Sequence, residues 1–227
     1  MALKTIFNYS PNFSSIKRKP KDIKFIIFHY TGMKNESDAI KRLTDLKSQV
    51  SCHYLVKNNG EIISMVPDLY TAWHAGVSSW RDFNSLNKNS IGIEITNPGH
   101  GLCYKNFSKS QILSLIKLSK LLCQKYKISP KNILGHSDVA PERKKDPGEK
   151  FPWMYLSQKN IGYWHNLDQK VLINNRKLKI DDLQKKLFLN NIFKIGYSKK
   201  IPKTSNLDKI KYIKIITKAF QRRFRPE

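Results

Sequence analysis

Residues 135–148 read GHSDVAPERKKDPG, and this stretch is the most informative part of the chain. Its two prolines and two glycines exclude a continuous helix, so the path of a loop sets the geometry of its side chains. His136 and Asp146 are both good zinc ligands, and Lys144 lies two residues before Asp146. A zinc site that does chemistry needs a third protein ligand and an open coordination position. The stretch therefore predicts a metal site that another part of the chain completes.

A buried strand is predicted directly before the best candidate for the third ligand. Residues 23–28 (IKFIIF) form a nearly continuous apolar run, and His29 follows it. A side chain at the end of such a strand can emerge from the sheet edge beside a loop. Taken alone, a histidine after an apolar run is more often a core residue whose hydrogen bonds are satisfied. Its combination with the loop at 135–148 is what favours metal ligation.

Glu94 is the best candidate for a general base. Residues 90–96 alternate strictly, with three isoleucines on one face of a predicted strand and Gly92 and Glu94 on the other. A carboxylate on an otherwise apolar strand is costly unless its face lines a site or solvent. A glutamate that faces water on an edge strand is the alternative. Lys144 is likewise either one of many solvated lysines or, because of the neighbouring carboxylate, a functional one.

The remaining patterns interleave helices and strands around one hairpin. They are an amphipathic helix at 38–50, hairpin strands at 53–58 and 61–66 around Asn59-Gly60, a helix that opens with the capping box at 108–111 and runs to about residue 126, and a short strand at 132–135. This order predicts an α/β fold in which helices flank a mixed β-sheet.

The composition changes after about residue 166. Residues 170–227 contain 17 Lys and Arg but only 4 Asp and Glu, and they show helical patterns near 179–190 and 207–224. A linker-like stretch at 196–205 separates the two patterns. We therefore predict two domains, at 1–168 and 169–227, of which the second is a small, basic helical region.

The whole chain of 227 residues carries a net charge of +25, which is compatible with nucleic acid, an anionic membrane surface or an acidic polymer as a partner. The basic residues are spread along the chain without an arginine-rich run, so a lysine-rich solvated surface explains the charge equally well. No apolar run approaches the roughly 18 residues of a membrane span. The start of the sequence lacks a signal-peptide pattern, and we expect a cytoplasmic protein. The alternative is the cell envelope, reached by a route that the sequence does not reveal.

Five segments together resemble the zinc N-acetylmuramoyl-L-alanine amidases of type 2, whose fold is shared by phage lysozyme-type amidases and peptidoglycan recognition proteins. The segments are, in order, residues 28–31 (FHYT), 50–56 (VSCHYLV), 72–76 (AWHAG), 90–94 (SIGIE) and 135–146, which continues to 151–153 (FPW). The resemblance covers roughly residues 23–165, and its last two segments are highly specific. It implies hydrolysis of the amide bond between N-acetylmuramic acid and L-alanine in peptidoglycan or muropeptides.

The resemblance also implies a role for individual residues. The family pattern makes His29, His136 and Asp146 the ligands of one zinc ion per chain. It makes Glu94 the catalytic acid and base and Lys144 the group that stabilises the oxyanion. The expected substrate-binding residues are Trp73, His74, Ala75 and Gly76. No specific nucleic-acid partner is implied, and we expect a monomer.

The tail resembles the start of the three-helix peptidoglycan-binding module that follows some of these amidases, because residues 219–226 (AFQRRFRP) match one of its helices. We expect an incomplete version of that module. Two rival hypotheses are a non-catalytic peptidoglycan-binding protein of the same fold and a nucleic-acid-binding protein. Non-catalytic peptidoglycan-binding proteins of this fold typically lack a zinc ligand, whereas all three ligand residues are present here. The sequence leaves open whether the substrate is the intact wall or soluble muropeptides, including anhydro forms.

Overall fold

The computed structural model of the protein describes residues 4–175, 179, 181–200 and 208–226. The strands are β1 (Thr5–Phe7), β2 (Phe13–Ser14), β3 (Phe25–Tyr30), β4 (Tyr54–Val56), β5 (Ile62–Ser64), β6 (Thr71–Ala72), β7 (Ser79–Trp80), β8 (Phe83–Asn84), β9 (Ser90–Ile95) and β10 (Ile133–Gly135). The helices are α1 (Glu36–Thr44), α2 (Lys109–Tyr126), α3 (His136–Val139), α4 (Trp153–Ser157), α5 (Gln169–Asn175), α6 (Asp182–Ile195) and α7 (Lys209–Phe224).

Six strands form one mixed sheet in the order β1-β5-β4-β9-β3-β10. The β4–β5 pair is the antiparallel hairpin predicted around Asn59-Gly60, and every other pair in this sheet is parallel. The parallel strands β3, β9 and β10 are adjacent, so their carboxyl ends lie at one edge of the sheet. The predicted mixed sheet with flanking helices is confirmed.

The alternation of the central strands divides the core into two layers. The isoleucines of β9 pack with α2, whose buried apolar residues include Ile112, Leu115 and Leu122. On the other face of the sheet, Phe25 and Ile27 pack with residues of α7 such as Ile216 and Ala219. Helices therefore cover both faces of β3, and this explains why residues 23–28 are apolar on both sides.

Two local predictions differ from the structure in their boundaries. The helix predicted at 38–50 ends at Thr44, because Asp45 adopts an extended backbone and its carboxylate accepts a hydrogen bond from the Lys47 N–H at 3.0 Å. The loop at 135–148 begins with the single helical turn α3, which carries His136. The short strand before it is β10, as predicted.

The tail packs against the rest of the protein. Tyr197, which follows α6, lies edge-on to Trp80 with ring centroids 5.0 Å apart. The guanidinium of Arg223 in α7 stacks on the Trp153 ring at 3.9 Å. The predicted division into 1–168 and 169–227 stays a prediction, and residues 201–205 of the predicted linker lie outside the described residues. None of the described helices combines the length and the apolar character needed to cross a bilayer.

Candidate active site

Three strand ends bring the predicted site residues together. His29 in β3 is directly opposite Glu94 in β9 in the parallel register, and Gly135 at the end of β10 is opposite Phe28. His136 follows Gly135 immediately. Because the three strands are parallel neighbours, these side chains emerge at the same edge of the sheet.

Three donor atoms converge at this edge. His29 Nδ1 lies 2.9 Å from His136 Nδ1 and 3.1 Å from an oxygen of Asp146. The same Asp146 oxygen lies 2.9 Å from His136 Nδ1. All three residues are buried, and together they form a group that could hold a metal ion.

The protonation states of His29 and Asp146 favour the binding of a metal cation. Burial, and next the neighbouring His136 ring, lower the pKa of His29 to about 4, so the imidazole is neutral near pH 7. Burial alone would raise the pKa of Asp146, but the two histidines hold it below its ordinary value. The cluster therefore offers a neutral His29 imidazole and an ionised Asp146 carboxylate, the states in which these side chains bind metals.

The outer nitrogen of His136 is held by the main chain. His136 Nε2 lies 3.1 Å from the carbonyl oxygen of Ala75, which can only accept a hydrogen bond. The Nε2–H of His136 is therefore the donor, and the other ring nitrogen, Nδ1, faces the cluster. The same carbonyl oxygen also accepts from the Arg143 guanidinium.

Glu94 lies beside the cluster and has an oxygen without a partner. Its Oε2 is shielded from solvent and makes no hydrogen bond to any described residue. Burial, and next the charge of Asp146, raise the pKa of Glu94 to about 8, although Lys144 opposes the shift. A carboxyl group with a pKa near neutrality can both take and return a proton, as a general acid and base must.

A cleft of about 680 Å³ opens over these residues. Its positively charged lining residues are Arg42, Arg143, Lys144 and Lys145, and its acidic ones are Glu94 and Asp146. Lys144 is half-buried, whereas Lys145 is exposed. The cleft thus presents an excess of positive charge around a buried group with metal-ligand chemistry.

The family model for N-acetylmuramoyl-L-alanine amidases (Amidase_2) matches residues 19–149, which are more than half of the chain. The chain belongs to this family. The matched region contains the three convergent residues His29, His136 and Asp146, together with Glu94 and Lys144.

Individual relatives agree with this assignment. The N-acetylmuramoyl-L-alanine amidase AmiD of Escherichia coli (strain K12) is 44% identical over 154 residues, which are 63% of this chain and 55% of the relative. The 1,6-anhydro-N-acetylmuramyl-L-alanine amidase AmpD of Haemophilus influenzae is 34% identical over 167 residues, which are 65% of this chain and 88% of the relative. This chain therefore spans just over half the length of AmiD and most of the length of AmpD.

A solved structure gives the same result at the level of the fold. The complex of E. coli AmiD with the substrate anhydro-N-acetylmuramic acid-L-Ala-D-gamma-Glu-L-Lys superposes with a TM-score of 0.75 at 34% sequence identity. The match covers 94% of this chain and 84% of that chain, so it includes most of the tail.

The predicted substrate-binding residues of this amidase-family chain occupy different positions. Trp73 lines the cleft, and its indole N–H donates to the Ser14 hydroxyl at 3.3 Å. His74 is buried against His29, and Ala75 is buried with its carbonyl oxygen bonded to His136. Gly76 is exposed and has a φ of 56°, a backbone conformation that favours glycine. Their roles in substrate binding stay predictions.

Some residues around the site were not singled out from the sequence. His100 lines the cleft, where its ring accepts from or donates to the Tyr30 hydroxyl at 2.9 Å and contacts the Glu149 carboxylate at 2.9 Å. Asp138, two residues after His136, is bonded to Tyr197 and Arg223 of the tail. The only sequence signal for Asp138 is its position within the motif at 135–148.

Proposed function

We propose that this protein is a zinc-dependent N-acetylmuramoyl-L-alanine amidase that hydrolyses the amide bond between the lactyl group of N-acetylmuramic acid and L-alanine. One observation carries the proposal. Three donor atoms of His29, His136 and Asp146 lie 2.9–3.1 Å apart, beside a carboxyl oxygen of Glu94 that has no partner among the described residues.

The donor set fits zinc. His29 Nδ1, His136 Nδ1 and one Asp146 oxygen lie 2.9–3.1 Å apart, so a single cation placed among them would contact all three. Two imidazole nitrogens and one carboxylate oxygen are a known ligand set of catalytic zinc, and the three ligands leave a fourth position open. When bound, zinc would supply Lewis-acid chemistry, because it lowers the pKa of water to about 7 and polarises a carbonyl group.

Glu94 would move the proton in this reaction. Its unpartnered Oε2 can take the proton of the attacking water and later return it to the nitrogen of the leaving L-alanine. Protonation of that nitrogen is needed because an amide ion is a very poor leaving group. A carboxyl group whose pKa is about 8 is well suited to the second transfer.

Lys144 would stabilise the oxyanion that develops on the substrate carbonyl. It lies in the wall of the cleft two residues before Asp146, and its charge reaches both Glu94 and His29. A cation directed at an oxygen that gains charge in the transition state typically contributes about 3–4 kcal/mol.

Soluble muropeptides are the proposed substrate class, including 1,6-anhydro forms. This rests on two relatives, the 1,6-anhydro-N-acetylmuramyl-L-alanine amidase AmpD and the AmiD that forms a complex with an anhydromuropeptide. Turnover of such fragments agrees with the cytoplasmic location predicted from the sequence. The monomeric state and the location stay predictions.

The experiment compares two substrates under metal control. Purified protein is incubated with intact sacculi and with anhydromuropeptides, and released peptides that begin with L-alanine are quantified by mass spectrometry. We expect release from anhydromuropeptides, its loss after chelation and its return with zinc. Binding of sacculi without any release would favour the non-catalytic alternative, and full activity in metal-free protein would refute zinc dependence.

A further inference from the structure

We propose that His74 is a positioning residue that fixes the tautomer of the metal ligand His29. The inference rests on the proposed metal site. In this view His74 accepts the Nε2 proton of His29, so that Nδ1 of His29 presents a lone pair to the metal.

A short chain of hydrogen bonds leads from the main chain to His29. The Ser90 hydroxyl lies 2.6 Å from the carbonyl oxygen of Leu86 and 3.2 Å from His74 Nε2. His74 Nδ1 lies 3.0 Å from His29 Nε2. All four residues are buried.

The direction of this chain follows from its first member. The Leu86 carbonyl can only accept, so Ser90 donates its single hydroxyl hydrogen to it. Ser90 must then accept from His74, which places the His74 proton on Nε2. A neutral His74 has only a lone pair left on Nδ1.

The next hydrogen bond in the chain determines which nitrogen of His29 carries the proton. Because Nδ1 of His74 accepts, Nε2 of His29 donates, and Nδ1 of His29 has no proton. The described hydrogen bonds of the His74 ring are to Ser90 and His29, neither of which is an acid, and these contacts fit the neutral ring. A doubly protonated His74 would reverse the bond and place a proton on the metal-facing nitrogen of His29.

The packing around His74 fits this role. A Cβ atom at position 92 would collide with the His74 ring, so Gly92 provides the space that the ring fills. The His53 ring lies edge-on to the His74 ring with centroids 5.6 Å apart. The Gly92 N–H donates to His53 Nδ1 at 2.9 Å, which fixes that ring as well.

The two histidine ligands are therefore oriented in different ways. His136 donates to the fixed carbonyl of Ala75, whereas His29 donates to a side chain whose acceptor state depends on Ser90. Partners of this kind typically change metal affinity by about 10–100-fold when they are removed. We call the hydrogen-bond chain from Leu86 through Ser90 and His74 to His29 the relay. Because of the relay, zinc binding through His29 depends on a side chain that mutation can replace.

The test compares His74→Leu with His74→Asn. Asparagine has an oxygen at the same distance from Cβ as Nδ1 and can still accept from His29, whereas leucine fills the space without an acceptor. We expect His74→Leu to weaken zinc binding about 10–100-fold in a chelator competition, and His74→Asn to recover most of that loss. Ser90→Ala, which removes the group that accepts from His74, should weaken zinc binding less than His74→Leu does.

A second measurement uses the unmutated, zinc-loaded protein and does not depend on how the variants fold. Long-range ¹H–¹⁵N correlation of histidine-labelled protein reports which ring nitrogen of each histidine is protonated. We expect His74 to carry its proton on Nε2 and none on Nδ1. A proton on Nδ1 of His74, or equal zinc affinities for the leucine, asparagine and unmutated proteins, would overturn the inference. Zinc binding without amide hydrolysis would refute the proposed function but would not contradict the role of His74.

Discussion

Two carboxyl groups with oxygens shielded from solvent, those of Glu94 and Asp138, have different surroundings. Glu94, at the cleft, has one oxygen with no hydrogen-bond partner among the described residues. Asp138 accepts hydrogen bonds from the Gly135 N–H at 2.8 Å, from the Tyr197 hydroxyl at 2.7 Å and from the Arg223 guanidinium. We call its contacts with Tyr197 and Arg223 of the tail the seam. The first carboxyl group is left free to exchange a proton, and the second is saturated with donors.

The difference indicates a chemical role for Glu94 and a structural role for Asp138. A buried carboxylate that accepts several hydrogen bonds stabilises a particular arrangement of the chain, here the contact between the loop at 135–148 and α7. A buried carboxyl group without partners is unfavourable for folding and is retained where the reaction needs it. Each experiment below changes one of the two regions and measures whether they behave as differently as this contrast requires.

The largest expected effect is the loss of stability when the seam is broken. Arg223→Leu removes a buried cation and leaves Asp138 with an uncompensated charge, which typically costs about 3–5 kcal/mol. The measurement is the free energy of unfolding in urea. Arg222→Leu is the control, because the Arg222 guanidinium lies 3.8 Å from the more exposed Glu149 and should contribute at most about 1 kcal/mol. Equal losses in the two variants would show that the ion pair between Arg223 and Asp138 contributes no special stability.

The next effect concerns the charge at the cleft. Lys144→Ala should lower kcat about 100-fold with little change in KM, because a contact to the oxyanion strengthens only in the transition state. Steady-state kinetics on an anhydromuropeptide would measure both constants. The neighbouring Lys145, which lies exposed at the same cleft, provides the matched control. A small and equal effect of Lys145→Ala and Lys144→Ala would mean that the cleft uses only its overall charge.

The smallest expected effect is on the pH dependence of stability. The folded pKa of Glu94, about 8, lies above the ordinary 4.5, so the folded protein binds more protons than the unfolded chain between these values. The unfolding free energy therefore falls as the pH rises through this window. Each pKa unit corresponds to about 1.4 kcal/mol, and water in the cleft reduces the full effect.

Glu94→Gln removes this titration from the metal-free protein. We expect it to raise the unfolding free energy by about 2 kcal/mol at about pH 9 and by little at about pH 5. Urea titrations at the two pH values would measure the difference. A constant difference between the proteins across this range would show that Glu94 has an ordinary pKa, and the contrast with Asp138 would then fail.

Most of the site was predictable because its residues are tied to simple patterns. The apolar run before His29, the alternation around Glu94 and the short strand before His136 all predicted strands, and parallel pairing brings their ends together. Asp146 followed from the loop composition. These inferences need only local periodicity and the rule that parallel strands end at a common edge.

The seam was not predictable in the same way. Asp138 and Arg223 are 85 residues apart, and nothing in either segment indicates the other as a partner. The composition change near residue 166 predicted the tail but gave no signal that Tyr197 and Ile216 lie in the core on one face of the sheet. His74 was expected to contact substrate, and its contact with His29 depends on the space left by Gly92, which a one-dimensional pattern does not reveal.

Zinc content and turnover, measured together in two variants, distinguish metal binding from proton transfer. If His29, His136 and Asp146 hold zinc while Glu94 moves the proton, His136→Ala should lose both the metal and the activity. Glu94→Gln should keep about one zinc per chain and lose about 10²–10⁴-fold in kcat. Near-normal turnover in Glu94→Gln, or full zinc content in His136→Ala, would contradict the account.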